Sequence, residues 1–99
     1  MLTGKQRAYL RGLAQKEKCV LYVGKAGLTE PVIVQARDAL AARELVKGKV
    51  QEACPYTAAE AQRMLMEAIP GAEGVQVIGK VFVLYKKSDE TPKITLPKG

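Results

Sequence analysis

The chain has 99 residues, 47% of them hydrophobic, and a formal net charge of +6. A chain of this length suits one globular domain that buries roughly 60–65% of its unfolded surface. No apolar run approaches the ~20 residues of a membrane span, and the basic amino terminus lacks the apolar stretch of a secretory signal. We therefore expect a cytoplasmic protein that does not associate with membranes.

The composition argues against catalysis. The chain contains no histidine, so the commonest general base and the usual partner of a Ser or Cys nucleophile are missing. The two cysteines, Cys19 and Cys54, have no second thiol or histidine at metal-ligand spacing. We expect a monomer that is not an enzyme and uses no cofactor, metal or small-molecule substrate.

Positive charge is segregated along the chain. Residues 1–16 contain four basic residues and no acid, and residues 74–88 contain three basic residues and no acid. Such segregation is typical of a protein that binds a polyanion, because each neutralised phosphate releases condensed counterions. A basic surface that only keeps the protein soluble explains the charge equally well.

The first predicted element is a helix that begins at Thr3. Thr3 and Gln6 have the spacing of a capping box, and an apolar face follows at helical spacing. Arg7 and Arg11 lie four residues apart on one border of that face, and Lys5 lies on the other border. The helix therefore carries positive charge beside its buried face.

A strand and a second helix come next. Residues 19–23, with the sequence CVLYV, are rich in β-branched and aromatic side chains and end at Gly24, which predicts a buried strand. The second helix runs from Thr29 toward Arg43. Its Pro31 lies in the first turn, where the missing N–H has no consequence.

The next strand and helix are also predicted from spacing. Residues 44–51, ELVKGKVQ, alternate with period two, so Lys47 and Lys49 lie on the polar face of a strand. The third helix begins with Thr57 and Glu60, which again have the spacing of a capping box.

The last segments of the sequence predict a hairpin followed by a tail. Two alternating apolar runs flank Gly79-Lys80, and glycine in the first position is typical of a type II′ hairpin. Residues 88–99 have turn residues and little periodicity, so we expect a loose tail. The element order is then α-β-α-β-α-β-β within a single domain, residues 1–99. It predicts an α/β protein of the two-layer α+β type, with a four-stranded mixed sheet and packed helices.

Gly24-Lys25-Ala26-Gly27 occupies the corner between the first strand and the second helix. The amides of such a corner and the positive end of the helix dipole favour an anion, and glycines allow a phosphodiester backbone to come close. The motif is neither a P-loop nor a dinucleotide fingerprint. It is closest to the Gly-x-x-Gly loop with which KH domains hold a nucleic-acid backbone. A tight strand-to-helix turn explains the same residues without any ligand.

Five segments together resemble the bacterial YhbY family, the single-domain form of the CRM domain. They are QRAYLRGLA, VGKAGLTE, ELVKGKV, VQVIGKVFVLYK and KITLP. The resemblance spans essentially the whole chain and implies an RNA-binding domain that acts on precursors of the large ribosomal subunit during ribosome assembly. It also implies a fold similar to the carboxy-terminal domain of bacterial translation initiation factor three, with the RNA-binding loop at residues 24–27.

Two positions depart from the family pattern. Lys86 stands where arginine is usual, so a bidentate phosphate contact becomes a point charge. Gly48 replaces a more usual β-branched residue, which weakens its strand or marks a close approach of another group.

We therefore predict that the chain binds structured RNA by its backbone and shape rather than by base stacking. The predicted RNA-binding residues are Gly24, Lys25, Ala26, Gly27, Lys5, Arg7, Arg11, Lys47, Lys49, Lys80 and Lys86. We expect the first helix to fold back beside the first strand, so that one continuous basic surface joins it to the loop. Two alternatives remain: a module that docks on a ribosomal or assembly protein, with the ITLP segment of the tail pairing with a partner's strand edge, and a small enzyme.

Overall fold

The predicted order of helices and strands is confirmed in a computed structural model of the protein, which describes residues 2–88 and 94–98. In chain order the elements are α1 (Gly4–Ala14), β1 (Leu21–Val23), α2 (Glu30–Arg43), β2 (Leu45–Val50), α3 (Ala58–Ala68), β3 (Glu73–Ile78) and β4 (Val81–Tyr85). The α+β class is confirmed with this order.

Capping boxes fix the starts of α1 and α3. The hydroxyl of Thr3 accepts the N–H of Gln6 at 3.1 Å, and the side chain of Gln6 accepts the N–H of Thr3 at 3.1 Å. Thr57 and Glu60 form the same reciprocal pair at 3.2 and 3.0 Å. Both predicted capping boxes are therefore confirmed. Helix α2 differs, because its N-cap residue Thr29 makes no side-chain hydrogen bond to the first turn.

The four described strands form one mixed sheet in the order β1-β2-β4-β3. Strand β1 pairs in parallel with β2, with Val23 opposite Val50. Strand β4 pairs antiparallel with both β2 and β3. At the β3–β4 turn Ile78 faces Val81, and Gly79 has a φ of +57°, the positive value that the predicted hairpin requires of a glycine in this position.

Helices α2 and α3 cover one side of the sheet, which we call the first face. The buried cluster between them contains Leu21, Val23, Ala36, Leu40, Val46, Val50, Ala58, Ala61, Leu65, Ile69, Ala72, Phe82 and Leu84. The strand members alternate along the sequence, as expected for residues that point to one side of a pleated strand. Each fully buried Leu or Phe contributes about 1.5–3 kcal/mol, so this cluster is the principal core.

Helix α1 and part of the tail cover the opposite side, which we call the second face. The buried cluster there contains Leu2, Leu10, Ala14, Leu45, Val75, Val83 and Tyr85, with Leu13, Ile94 and Leu96 half-buried against it. Helices thus lie on both sides of the sheet. The sheet therefore lies between two helical layers, whereas we predicted one sheet layer and one helix layer. The difference arises because the apolar side of α1 packs on the second face.

The described part of the tail contacts the rest of the protein. Residues 94–98 form no helix or strand, yet the N–H of Ile94 donates to Glu44 Oε1 at 2.9 Å. The side-chain amide of Gln6 donates to the carbonyl of Pro97 at 3.0 Å. Residues 89–93 and 99 of the predicted loose tail lie outside the described residues.

A buried carboxylate joins this tail to α2 and β4. The side chain of Glu44 is fully buried and accepts the N–H of Ser88 at 2.8 Å in addition to that of Ile94. Its backbone carbonyl accepts the N–H of Lys86 at 2.9 Å. Hydrogen bonds to an ionised group are shorter and stronger than neutral ones, so Glu44 holds three chain segments together at the end of α2.

The glycine at position 48 marks a close approach, which is one of the two consequences predicted for it. A Cβ atom added to Gly48 would lie 2.7 Å from Cε2 of Phe82, which is the largest fully buried side chain. Gly48 pairs directly with Phe82 across β2 and β4. The ring therefore occupies the space that a side chain on β2 would need.

Replacing Gly48 should destabilise the fold. We expect Gly48→Ala to lower the free energy of unfolding by about 1–3 kcal/mol through overpacking, measured by urea denaturation. Gly12→Ala is the matched control, since Gly12 lies in α1 with nothing within 4 Å of an added Cβ. This control should stabilise the protein by up to about 1 kcal/mol. Equal effects of both substitutions would contradict the steric role of Phe82.

Tyr85, on the second face, should make the stability of the fold depend on pH in the alkaline range. Burial, and then the negative charges of Glu44 and Glu73, raise the pKa of Tyr85 above its ordinary value of 10.0. Above pH 10.0 the unfolded chain therefore loses this proton before the folded protein does, and the stability falls as the pH rises. Tyr85→Phe should remove this part of the alkaline loss in denaturation curves, while Tyr9→Phe, at an exposed tyrosine, should retain it.

Candidate nucleic-acid interface

Two loops meet at one end of the sheet because β1 and β2 run in parallel. The N–H of Gln51 donates to the carbonyl of Val23 at 2.8 Å, and the N–H of Val50 donates to the carbonyl of Lys80 at 2.8 Å. These bonds place residues 24–29, residues 51–57 and the β3–β4 turn beside one another. We call this edge of the sheet the loop end.

The Gly-x-x-Gly motif forms a tight turn at the loop end. The N–H of Gly27 donates to the carbonyl of Gly24 at 2.9 Å, and Gly27 has a φ of +73°, which favours glycine. The N–H groups of Lys25 and Ala26 have no hydrogen-bond partner among the described residues, and both residues are exposed. The turn therefore presents free backbone donors and one lysine to the solvent.

Packing between the two loops bears on the glycines themselves. A Cβ added to Gly24 would lie 2.8 Å from Gln51 Oε1, and one added to Gly27 would lie 2.8 Å from Tyr56 Cε2. The N–H of Tyr56 donates to the thiol sulfur of Cys54 at 3.4 Å, which orders the second loop. Gly27 is thus required by its positive φ and by the Tyr56 ring, whatever binds to the turn. At Gly24 the close atom is the end of the exposed Gln51 side chain, which can move away.

Five charged side chains surround the loop end. Lys25, Lys49 and Lys80 are exposed there, and Glu30 and Glu52 are exposed nearby. Glu30 lies in the first turn of α2, where the helix dipole favours a negative charge. The three lysines exceed the two carboxylates by one positive charge, so the loop end is basic but only slightly.

Two predicted RNA-binding lysines have contacts within the protein. The ammonium of Lys47 lies 3.4 Å from the carbonyl of Ala14 and 3.5 Å from that of Glu17, so it caps the carboxyl end of α1. The stem of Lys86 lies beside Gly71, at the end of the sheet opposite the loop end. Lys47 therefore lies two residues back from Lys49 along β2, with its ammonium directed to the end of α1, and Lys86 is remote from the loop end.

Helix α1 does not lie beside β1, so the expected continuity of its basic border with the loop is wrong. The helix crosses the second face over β2 and β3, and the guanidinium Nε of Arg7 donates to the carbonyl of Gly74 at 3.2 Å. Strand β3 is the edge opposite β1. Lys5 and Arg11 are exposed on this helix, and Arg11 lies one turn nearer the sheet centre than Arg7.

An open part of the second face is the feature that sequence reasoning missed. The sheet register places Tyr22, Lys49, Val81 and Ile78 in one line across the four strands, and we call this line the open row. Tyr22 is 52% exposed and Ile78 is 63% exposed. The signal was present in β1, where Leu21 and Val23 are buried and alternation turns Tyr22 to the opposite side.

Other kinds of site lack support in the part of the chain that the structure describes. No three His, Cys, Asp or Glu side chains cluster there as metal ligands would, and Cys19 and Cys54 are free, half-buried thiols. No helix of these residues has the length and apolar character that crossing a membrane requires.

Comparison with known proteins defines the class. The model of the CRS1/YhbY (CRM) domain matches residues 2–86, and the chain belongs to this family. The resemblance predicted from five short segments is therefore confirmed.

The relatives match along nearly their whole length. The chain is 39% identical over 97 residues to the protein named "Probable RNA-binding protein YqeI" of Bacillus subtilis (strain 168), covering 98% of this chain and 100% of the relative. It is 39% identical over 100 residues to an "RNA-binding protein" of Haemophilus influenzae, covering 98% of this chain and 96% of the relative. The solution structure of the hypothetical protein SAV1595 from Staphylococcus aureus superposes with a TM-score of 0.80 at 42% identity, covering 98% of this chain and 100% of that one.

Proposed function

We propose that the protein binds structured ribosomal RNA of a large-subunit precursor and serves in the assembly of that subunit. It holds the RNA backbone at the loop end, and it acts in the cytoplasm as a monomer without catalysing a reaction. The observation that carries the proposal is the turn of residues 24–27, in which the exposed Lys25 and Ala26 offer backbone donors without a partner among the described residues, together with the ammonium of Lys25.

The start of α2 adds to the attraction for a phosphate. Its N-cap residue Thr29 leaves the first turn without a side-chain cap, whereas α1 and α3 each satisfy theirs with a capping box. Unsatisfied N–H groups and the positive end of the dipole favour an anion. Because Glu30 occupies the first turn, a phosphate is better placed on the preceding residues, Lys25 and Ala26.

Family membership supports RNA as the polyanion. Two relatives that match along nearly their whole length are named as RNA-binding proteins, and the family model covers most of the chain. The +6 net charge favours the same class of partner through counterion release. Lys49 and Lys80 extend the basic surface from the loop toward the second face.

The alternative of a protein-docking module through the tail has less support. The segment ITLP would have to offer its side chains and backbone to a partner. Instead, Ile94 and Leu96 are half-buried against α1 and the second face, and the backbone of Ile94 and Pro97 is hydrogen-bonded within the protein. The tail is therefore committed to its own domain.

Removing the loop lysine should weaken RNA binding. We expect Lys25→Ala to raise the Kd for a large-subunit ribosomal RNA transcript about 5- to 10-fold, as the removal of one charge-assisted hydrogen bond predicts. Lys87→Ala, at an exposed lysine beyond β4, removes the same charge and should change the Kd about twofold or less. Filter binding at constant salt measures both, and equal effects in the two variants would show that only net charge matters.

The salt dependence of binding should locate the phosphates that the protein neutralises. Lys49→Gln combined with Lys80→Gln should reduce the slope of log K against log salt by about 1 for each phosphate that is no longer neutralised. Arg7→Gln combined with Arg11→Gln removes the same charge from α1 and should reduce the slope less. If the α1 pair reduced the slope more than the lysine pair, the RNA backbone would lie on α1 and away from the loop end.

A further inference from the structure

The open row exposes large apolar side chains beside a lysine. Its four side chains lie on the second face, on the side of α1 nearest the loop end, and they span about 14 Å at the usual strand spacing of about 4.8 Å. Two of the four, Tyr22 and Ile78, are more than half exposed. A depression lined by Gln15, Gln76 and Val83 continues the row toward α1. No described segment of the chain covers it.

A hydrogen bond within the protein restrains the ring of Tyr22 before anything binds. Its hydroxyl donates to the carbonyl of Cys19 at 3.3 Å, three residues back along the chain. A side chain that is already fixed loses less conformational entropy when a ligand binds to it. This single exposed hydrogen bond restrains the ring of Tyr22, so the aromatic surface is partly preorganised.

The charges around the ring favour an anionic partner. Lys49 lies directly beside Tyr22 in the register of β1 and β2. Lys80 follows Ile78 by two residues in the hairpin turn, and Lys25 follows Tyr22 by three. No carboxylate lies within the row, whose members are aromatic, cationic or aliphatic.

We propose that the open row binds unpaired nucleotides of the RNA, with one base stacked on Tyr22 while Lys49 contacts the adjoining phosphate. The inference rests on the proposed function, since the backbone of the same strand would be held at residues 24–27. Tyr22 and Gly24 are two strand residues, about 7 Å, apart, so one RNA strand can reach both. An aromatic side chain on a sheet face beside cations is how sheet-based RNA-binding modules stack bases.

Charge favours RNA over a protein as the occupant. A protein partner of an apolar sheet face would need an uninterrupted hydrophobic patch, but Lys49 separates Tyr22 from Val81 and Ile78. The same cation would strengthen the binding of a stacked nucleotide by neutralising its phosphate. Base stacking at the open row would add to the sequence-based expectation, which favoured recognition of the RNA by its backbone and shape.

The test compares two probes that differ only in unpaired nucleotides. One is a blunt RNA duplex, and the other is the same duplex with a short adenosine overhang that contains a fluorescent adenine analogue. Tyr22→Leu should weaken binding of the overhang probe about 5- to 100-fold, as expected for the removal of one stacked base, and should leave blunt-duplex binding unchanged. The fluorescence quenching caused by stacking should vanish in the same variant.

Two control variants separate stacking from other effects. Tyr22→Phe keeps the aromatic ring and should retain the quenching, with a decrease in affinity of about threefold at most from the missing hydroxyl bond. Tyr9→Leu changes a tyrosine of similar exposure, 44%, which lies on the other flank of α1, and should bind both probes as the unmodified protein does. Urea denaturation confirms that each variant is folded.

Each outcome decides a different question. If folded Tyr22→Leu keeps the preference for the overhang and the quenching, the stacking proposal is overturned while the proposed function stands. If Lys25→Ala does not weaken binding of the blunt duplex but Tyr22→Leu abolishes the preference for the overhang probe, the loop end is not the backbone site. The stacking proposal then stands without it. If the unmodified protein binds neither probe nor ribosomal RNA, the proposed function and the inference both fail.

Discussion

Parallel pairing between β1 and β2 is the constraint on which the arrangement of the protein depends. Parallel neighbours need a crossover, which α2 supplies, and they bring the loops that follow both strands to the same edge. The loop after β1 and the loop after β2 then pack against each other, with Gly27 against Tyr56. The bond from Val50 to Lys80 adds the hairpin turn to that edge. Three segments that are distant in sequence therefore form one surface.

The placement of α1 decides which part of the second face stays open. Lys47 caps the carboxyl end of this helix, and Arg7 fixes its amino-terminal half to β3. The helix consequently crosses the sheet, while the tail held by Glu44 covers the end away from the loops. The row nearest the loops receives no cover from the described residues. Two basic residues that sequence reasoning assigned to RNA thus serve to orient the helix that exposes Tyr22.

Local signals were sufficient to predict most of the fold, and tertiary contacts account for what was missed. The capping boxes and the Gly79-Lys80 hairpin depend on residues within a few positions of one another, so spacing alone revealed them. Lys47 and Arg7 look like any exposed basic residues in the sequence, because their partners are backbone carbonyls 33 and 67 positions away. Glu44 gave no sign of burial for the same reason. The side on which α1 lies was likewise not encoded by its own pattern, which is amphipathic whichever face it covers.

Gly27 cannot by itself indicate RNA, because its positive φ and its packing against Tyr56 require glycine there in any case. What the packing does not explain is why the turn leaves the amides of Lys25 and Ala26 unpartnered among the described residues. The excess of positive charge at the loop end is small, and a small excess gives only modest non-specific attraction to a duplex backbone. Interactions that do not depend on charge would add to this attraction. The open row lies on the adjoining surface and offers an aromatic ring, and the two proposals accordingly assign backbone binding to the end of the sheet and base binding to its face.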